Sequence, residues 1–263
     1  MEAFHITLAA LFGLLVGSFL NVCIYRIPRD LSVISPRSFC PECGHQIAWH
    51  RNIPLLSYAV LRGRCGDCAK PIAWRYPLVE LATAVLFAVV AARYGWTIAS
   101  AKWALFEAIA MVLFWTDMEE RILPDEFTLG GTAIGLIFAF LVPLHGAILD
   151  QLFSAVQPVR RSLLNAALGA ALLSGPMWGV GALYHLVRKR EGLGLGDVKL
   201  LLFMGSFLGI ENGIVAVMIG SLSGAILGIA YVWMTRQSAA TYPLPFGSFL
   251  CLGAALVPVL NRL

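Results

Sequence analysis

The chain has 263 residues, of which 59% are hydrophobic and only 13% charged, far below the roughly 25% charged residues of soluble domains. With a mean hydropathy of +0.79, this excludes an ordinary soluble enzyme and predicts an all-α polytopic membrane protein whose surroundings are the lipid bilayer. The net charge of +4 is modest and no nucleic-acid partner is expected; where the basic residues fall says more than their sum.

A membrane span takes about 20 apolar residues, fewer when it is tilted or flanked by protein. Eight segments meet this, at about 5–25, 77–93, 99–116, 127–145, 163–187, 198–210, 213–234 and 244–260, the sixth being short. The first begins MEAFHITLAALFGLL. It lacks a basic leader region and a small-residue cleavage site, so it is expected to stay as a span. Cys23, near its end, reads as a small buried hydrophobe.

The loop that follows, 26–76, is the only sizeable soluble segment, and a domain of this size usually needs a staple. One is legible: Cys40-Pro-Glu-Cys43 and Cys65-Gly-Asp-Cys68, separated by 21 residues. Four thiolates at this spacing converge on one tetrahedral zinc, as in zinc ribbons, and leave no open position for water, so the metal is structural. Two redox-active cysteine pairs or an iron–sulfur site are the alternatives. Gly44 and Gly66 stand where each knuckle is expected to bend back. His45 and His50 read as solvated or packed rather than as ligands.

The third span runs directly into Asp117, with Phe114 and Trp115 just before it and no polar turn between. An ionisable residue at the edge of a span is costly and marks a functional site by default. Its neighbours Glu119, Glu120 and Asp125 read more simply, as a charged loop, with Asp125 after Pro124 resembling the N-terminal cap of the fourth span. A second boundary aspartate, Asp197, closes Gly192-Leu193-Gly194-Leu195-Gly196-Asp197 ahead of the sixth span. Glycines there admit backbone conformations closed to other residues and the close passage of another chain; a nucleotide loop is excluded because no strand precedes the glycines. Helix capping is the simpler role for Asp197. Lys199, two residues on, either contacts substrate carbonyls or lipid phosphate, or snorkels. Gly220, Gly224 and Gly228 form a small-residue stripe suited to helix packing, and Cys251 in the last span reads as buried.

Basic residues orient the spans. Arg26, Arg29, Arg37, Arg51, Arg62, Arg64, Lys70 and Arg75 fall in the first loop, Arg188, Lys189 and Arg190 after the fifth span and Arg236 after the seventh. The positive-inside rule then predicts an external N-terminus, a cytoplasmic 26–76 loop, and Asp117 and Asp197 on the same cytoplasmic face. The expected organisation is a first span (1–25), a cytoplasmic four-cysteine domain (26–76) and a membrane domain (77–263). Two carboxylates held close together cannot both ionise easily, the electrostatic basis of aspartyl proteolysis. One would act as general base toward water while the other donates to the scissile carbonyl. A proton-relay transporter, with the same carboxylates in another role, is the competing class, but no inverted repeat or pair of broken spans supports it.

The strings Gly17-Ser18-Phe19-Leu20-Asn21-Val22, Tyr25-Arg26 and Pro28, the two knuckles, Asn52-Ile53-Pro54, Leu61-Arg62-Gly63-Arg64-Cys65, Arg75-Tyr76-Pro77 with Glu80, Asp117 through Leu123-Pro124-Asp125, and Gly194-Leu195-Gly196-Asp197-Val198-Lys199 together resemble the bacterial type IV prepilin peptidases. That resemblance implies Asp117 and Asp197 as the catalytic pair, with Gly194, Gly196, Lys199 and Asp125 near the substrate. Glu119 stands where many relatives carry another aspartate. It also implies an inner-membrane enzyme of type IV pilus or type II secretion systems. Such an enzyme removes the short basic leader of a prepilin or pseudopilin on the cytoplasmic side and methylates the new N-terminus from S-adenosylmethionine, through the cytoplasmic loop domain. No residues in the sequence mark an S-adenosylmethionine pocket.

Overall fold

The computed structural model describes residues 2–189, 194–235 and 244–260. Among them every regular element is helical apart from two isolated β-bridges, Phe39 with Gln46 and Arg64 with Pro71. The chain divides into two compact units, Met1–Ser100 and Ala101–Leu263.

In the first unit, α1 (Glu2–Arg26) and α3 (Arg75–Tyr94) form an antiparallel hairpin. Small residues set its closeness. A Cβ at Gly13 would lie 2.7 Å from Ala84 Cα, and one at Gly17 would lie 2.7 Å from Glu80 Cα, so only glycine lets these backbones meet. Further along, Asn21 Nδ2 donates to the Tyr76 carbonyl (3.0 Å). The segment between the helices holds the short α2 (Leu56–Val60) and both cysteine knuckles. It is tied to the hairpin at two points. Buried Arg26 donates to the carbonyls of Ser32 (2.8 Å) and Arg37 (3.2 Å) and sits 5.3 Å from the Phe39 ring centre. Glu80 accepts the Leu55 amide (2.8 Å), holding Leu55 at φ 58°, a region non-glycine residues seldom occupy.

The second unit contains most of α4 (Ile98–Glu120), then α5 (Asp125–Leu141), α6 (Ala147–Leu152), α7 (Pro158–Arg188), α8 (Leu195–Thr235) and α9 (Phe246–Leu260). Phe106 of α4 stacks on Phe203 and lies tilted against Phe207 of α8, with ring centres 5.2 and 5.1 Å away. Offset aromatic contacts of this kind add to plain area burial. The sixth and seventh predicted spans are joined in α8, which is broken at Gly209 (φ 73°, ψ −167°), backbone space essentially reserved for glycine.

The packing shows what this break does. Gly205 lies against Gly169 and Ala170 of α7, Gly209 against Asn165, and Gly213 against Leu173. The first half of α8 therefore runs down α7 and the second half runs back up it: the chain doubles back at Gly209. Asn165 Oδ1 accepts the Ile210 amide freed there (2.9 Å), and the Glu211 carboxylate accepts the amides of Ala147 (3.1 Å) and Ile148 (2.7 Å) at the start of α6. The turn at Gly209 falls where the sequence separates the segments 198–210 and 213–234. The Gly220, Gly224 and Gly228 stripe packs against Leu250, Phe249 and Leu244, the helix-packing role expected of it.

Five helices among the described residues are long and apolar enough to cross a membrane: Glu2–Arg29, Arg75–Tyr94, Ile98–Glu120, Pro158–Arg188 and Leu195–Ala230, with Phe246–Leu260 shorter. Large apolar side chains such as Leu15, Phe140, Leu183 and Ile229 stand more than half exposed, a surface that water-soluble monomers avoid. The protein is a multi-pass membrane protein.

Candidate active site

Asp117 does not follow α4 but lies within its last turns, which continue through Glu119 and Glu120; these two glutamates are helical, not loop. Asp117 is buried while the next residues reach the surface. Arg121 then takes φ 59° and reverses the chain, its guanidinium donating to the carbonyls of Asp117 (2.9 Å) and Met118 (2.6 Å). Asp197 sits in the first turn of α8, half-buried, where acidic groups are favoured by the helix dipole.

Both aspartates open onto one cavity of about 260 Å³, lined also by Arg121, Leu123, Gly194, Gly196, Leu244 and Phe246. The two carboxylates lie within each other's electrostatic reach, and the buried thiol of Cys251 lies within reach of both. Gly196 gives its space to Leu123, whose side chain would stand 3.3 Å from an added Cβ.

The start of α9 completes the site, and sequence reasoning missed it. Asp117 Oδ2 accepts the Ser248 amide (2.6 Å), and the Ser248 hydroxyl lies 2.8 Å from the same oxygen and 2.9 Å from the Phe114 carbonyl. Gly247 permits the approach: a Cβ there would lie 3.2 Å from Asp117 Cγ. The N-terminal amides of a helix form a ready anion site. The signal available beforehand was Pro245-Phe246-Gly247-Ser248 opening an apolar run after a polar stretch.

Asp125 and Lys199 lie apart from the cavity wall. Asp125 is the first residue of α5, with Pro124 as cap and no side-chain capping bond; the cap expected of Asp125 is corrected. Its carboxylate instead receives Lys199 Nζ at 2.7 and 2.8 Å, tying the starts of α5 and α8 together. Of the glycines before Asp197, Gly194 and Gly196 line the cavity, while Gly192 lies outside the described residues, as do Arg190 and Arg236 of the orienting charges.

The four cysteine sulfurs of the first unit all lie within 4.8 Å of one another. Zn–S bonds of about 2.3 Å place tetrahedral thiolates about 3.8 Å apart, and Cys40 and Cys68 stand 4.0 Å apart, so the cluster fits a metal ion. The knuckles repeat one hydrogen-bond pattern. Cys40 N donates to His45 O and Ile47 N to Ser38 O; Cys65 N donates to Lys70 O and Ile72 N to Gly63 O. Gly44 takes the left-handed turn of the first knuckle (φ 71°), but in the second the equivalent residue is Ala69 (φ 58°). Gly66 instead packs beneath Arg51, which corrects the bend assigned to it. The amides of Cys68 and Asp67 point at the Cys65 sulfur and pull its thiol down to about 7.

The bacterial peptidase A24 N-terminal domain matches residues 11–94 and the type IV leader peptidase family matches residues 104–229. Proteins named prepilin leader peptidase/N-methyltransferase are similar over most of the chain. That of Myxococcus xanthus (strain DK1622) is 40% identical over 226 residues, 86% of this chain and 63% of its own length, so the chain spans less than two thirds of that relative. That of Neisseria gonorrhoeae is 36% identical, covering 87% of this chain and 83% of its own, and that of Pseudomonas putida is 34% identical, covering 95% and 88%. No solved structure matches the chain. With two boundary aspartates on one cavity and both halves of the chain matched, the protein belongs to the type IV leader peptidase family.

Proposed function

We propose that this chain cleaves the short basic leader from prepilins or pseudopilins by aspartyl proteolysis and methylates the new N-terminus from S-adenosylmethionine, in support of type IV pilus assembly or type II secretion. The observation that carries the reading is the pair Asp117 and Asp197 on one cavity. One, ionised, takes a proton from water; the other, protonated, donates to the scissile carbonyl oxygen. Like-charge repulsion keeps a single proton on the pair. Gly194 and Gly196 leave room for an extended substrate, and the Asp125–Lys199 ion pair stands at the substrate's approach.

The reading places the protein in the bacterial inner membrane with eight passes: α1, α3, α4, α5, α7, the two halves of α8, and α9. The N-terminus is then outside and the cavity faces the cytoplasm, as the basic first loop favours. By role, 1–25 is the first span, 26–76 a cytoplasmic domain in which Cys40, Cys43, Cys65 and Cys68 hold a structural zinc, and 77–263 the peptidase domain. When bound, the metal supplies cross-linking in a segment too small for a large core.

The test uses the full chain in membranes with a prepilin substrate. Asp117→Asn and Asp197→Asn should each abolish leader removal, and the wild-type product should carry one added methyl mass. Full cleavage by either variant refutes the dyad.

A further inference from the structure

Resting on the dyad reading above, we propose that the two aspartates have fixed and different roles: Asp117 is the ionised base and Asp197 the protonated acid, with Ser248 as the positioning residue that sets this asymmetry.

The argument lies in where the donors point. Two donors of one residue converge on Asp117 Oδ2, the Ser248 amide at 2.6 Å and its hydroxyl at 2.8 Å. The hydroxyl carries one proton and shares it between Oδ2 and the Phe114 carbonyl; the amide is fixed and donates to Oδ2 in either case. A carboxylate accepts only, whereas a carboxylic acid must place its own proton somewhere. Donors aimed at an oxygen select the ionised form, and hydrogen bonds to a charged acceptor are about twice as strong as neutral ones. The Ser248 amide also belongs to the first turn of α9, where the helix dipole favours negative charge.

Asp197 has the opposite surroundings. Among the described residues no donor reaches its carboxylate; its amide instead closes a turn onto the Gly194 carbonyl (3.2 Å). The positive groups nearby are committed elsewhere: Lys199 to Asp125, and Arg121 to the Asp117 and Met118 carbonyls. With one proton on the pair, the carboxyl without donors is the one that keeps it. Ser248 is fully buried, so its contacts with Asp117 are shielded from water.

Protonation state can be read without turnover. An ionised carboxylate opens an epoxide, forming an ester while the ring oxygen takes a proton from water. A protonated carboxyl gives its proton to the carbon of a diazoacetyl compound, and the resulting carboxylate displaces dinitrogen to form an ester. The wild-type protein in detergent, labelled near neutral pH with a small epoxide or a diazoacetyl amide and mapped by mass spectrometry, should carry the epoxide on Asp117 and the diazo label on Asp197. Ser248→Ala should lower epoxide labelling of Asp117 and reduce kcat for leader removal about 10-fold with KM within twofold; Ser248→Thr, which keeps the hydroxyl, should restore both.

The reversed pattern, or equal labelling of both residues by one reagent, overturns the assignment while leaving the peptidase reading intact. Unaltered labelling and kcat in Ser248→Ala overturn the role of Ser248. Loss of the peptidase reading shows separately, as full cleavage by Asp117→Asn or Asp197→Asn.

Discussion

A methyl group added at Gly247 would stand 3.2 Å from Asp117 Cγ and Oδ2 and 3.1 Å from Leu123 Cδ1, where carbon contacts settle at about 3.5–4.0 Å. Something must move by several tenths of an ångström. Leu123 offers the free end of a flexible side chain, but Asp117 is pinned through Ser248, so relief there means shifting the carboxylate or the start of α9. A misplacement of about 1 Å costs on the order of 100-fold in rate, so roughly half of that gives about 10-fold. Gly247→Ala is therefore expected to lower kcat for prepilin cleavage about 10-fold with KM little changed, and to lose about 1–3 kcal/mol of stability through overpacking. The assay is steady-state cleavage of a purified prepilin in detergent, beside a thermal melt. Gly130→Ala is the control, since nothing lies within 4 Å of its added Cβ; inside α5 it should be neutral or gain up to about 1 kcal/mol. Wild-type kcat in a folded Gly247→Ala protein would refute the reasoning.

Gly205→Ala should fail to accumulate, because its Cβ would collide with the backbone of Gly169 and Ala170, which cannot swing aside; normal yield and melting temperature would argue against that packing. Asp125→Asn should cost less than about 1 kcal/mol, as its ion pair is half-exposed, and the exchange Asp125→Lys/Lys199→Asp should recover whatever is lost in the same melt. Cys40→Ser/Cys43→Ser should lose bound zinc by metal analysis; unchanged content would reject the ligand set. In metal-stripped protein at pH 7.5, iodoacetamide should modify Cys65 first among the four, since its thiol, lowered to about 7, is largely thiolate there; uniform modification would contradict the knuckle geometry.

What the chain discloses before folding divides along physical lines. Asp117 and Asp197 are legible because charge at a membrane boundary needs a reason, and the four cysteines because metal ligands come at fixed spacings. Ser248 is not legible in the same way: it acts partly through a backbone amide, which every residue but proline carries. Asp125 looked like a helix cap because the local pattern fits one, but its partner Lys199 is distant in sequence. Hydropathy separates 198–210 from 213–234, but which of the 25 glycines makes the turn is not marked in the sequence. Glu211, a lone carboxylate inside an apolar run, was the available hint, and it serves the amides that open α6. Ala69 in place of a glycine shows that a hydrogen-bonded knuckle can hold φ 58° against a side chain's preference.

The reversal in α8 changes the parity of the chain. Counted as one long helix, it would give every later segment the opposite orientation to the one that the separate segments 198–210 and 213–234 imply. Because it doubles back at Gly209, the eight-pass reading puts its two ends on one side of the membrane and Ile210 on the other. Single cysteines placed at Leu195, Ile210 and Met234 should therefore sort two against one with a membrane-impermeant thiol reagent.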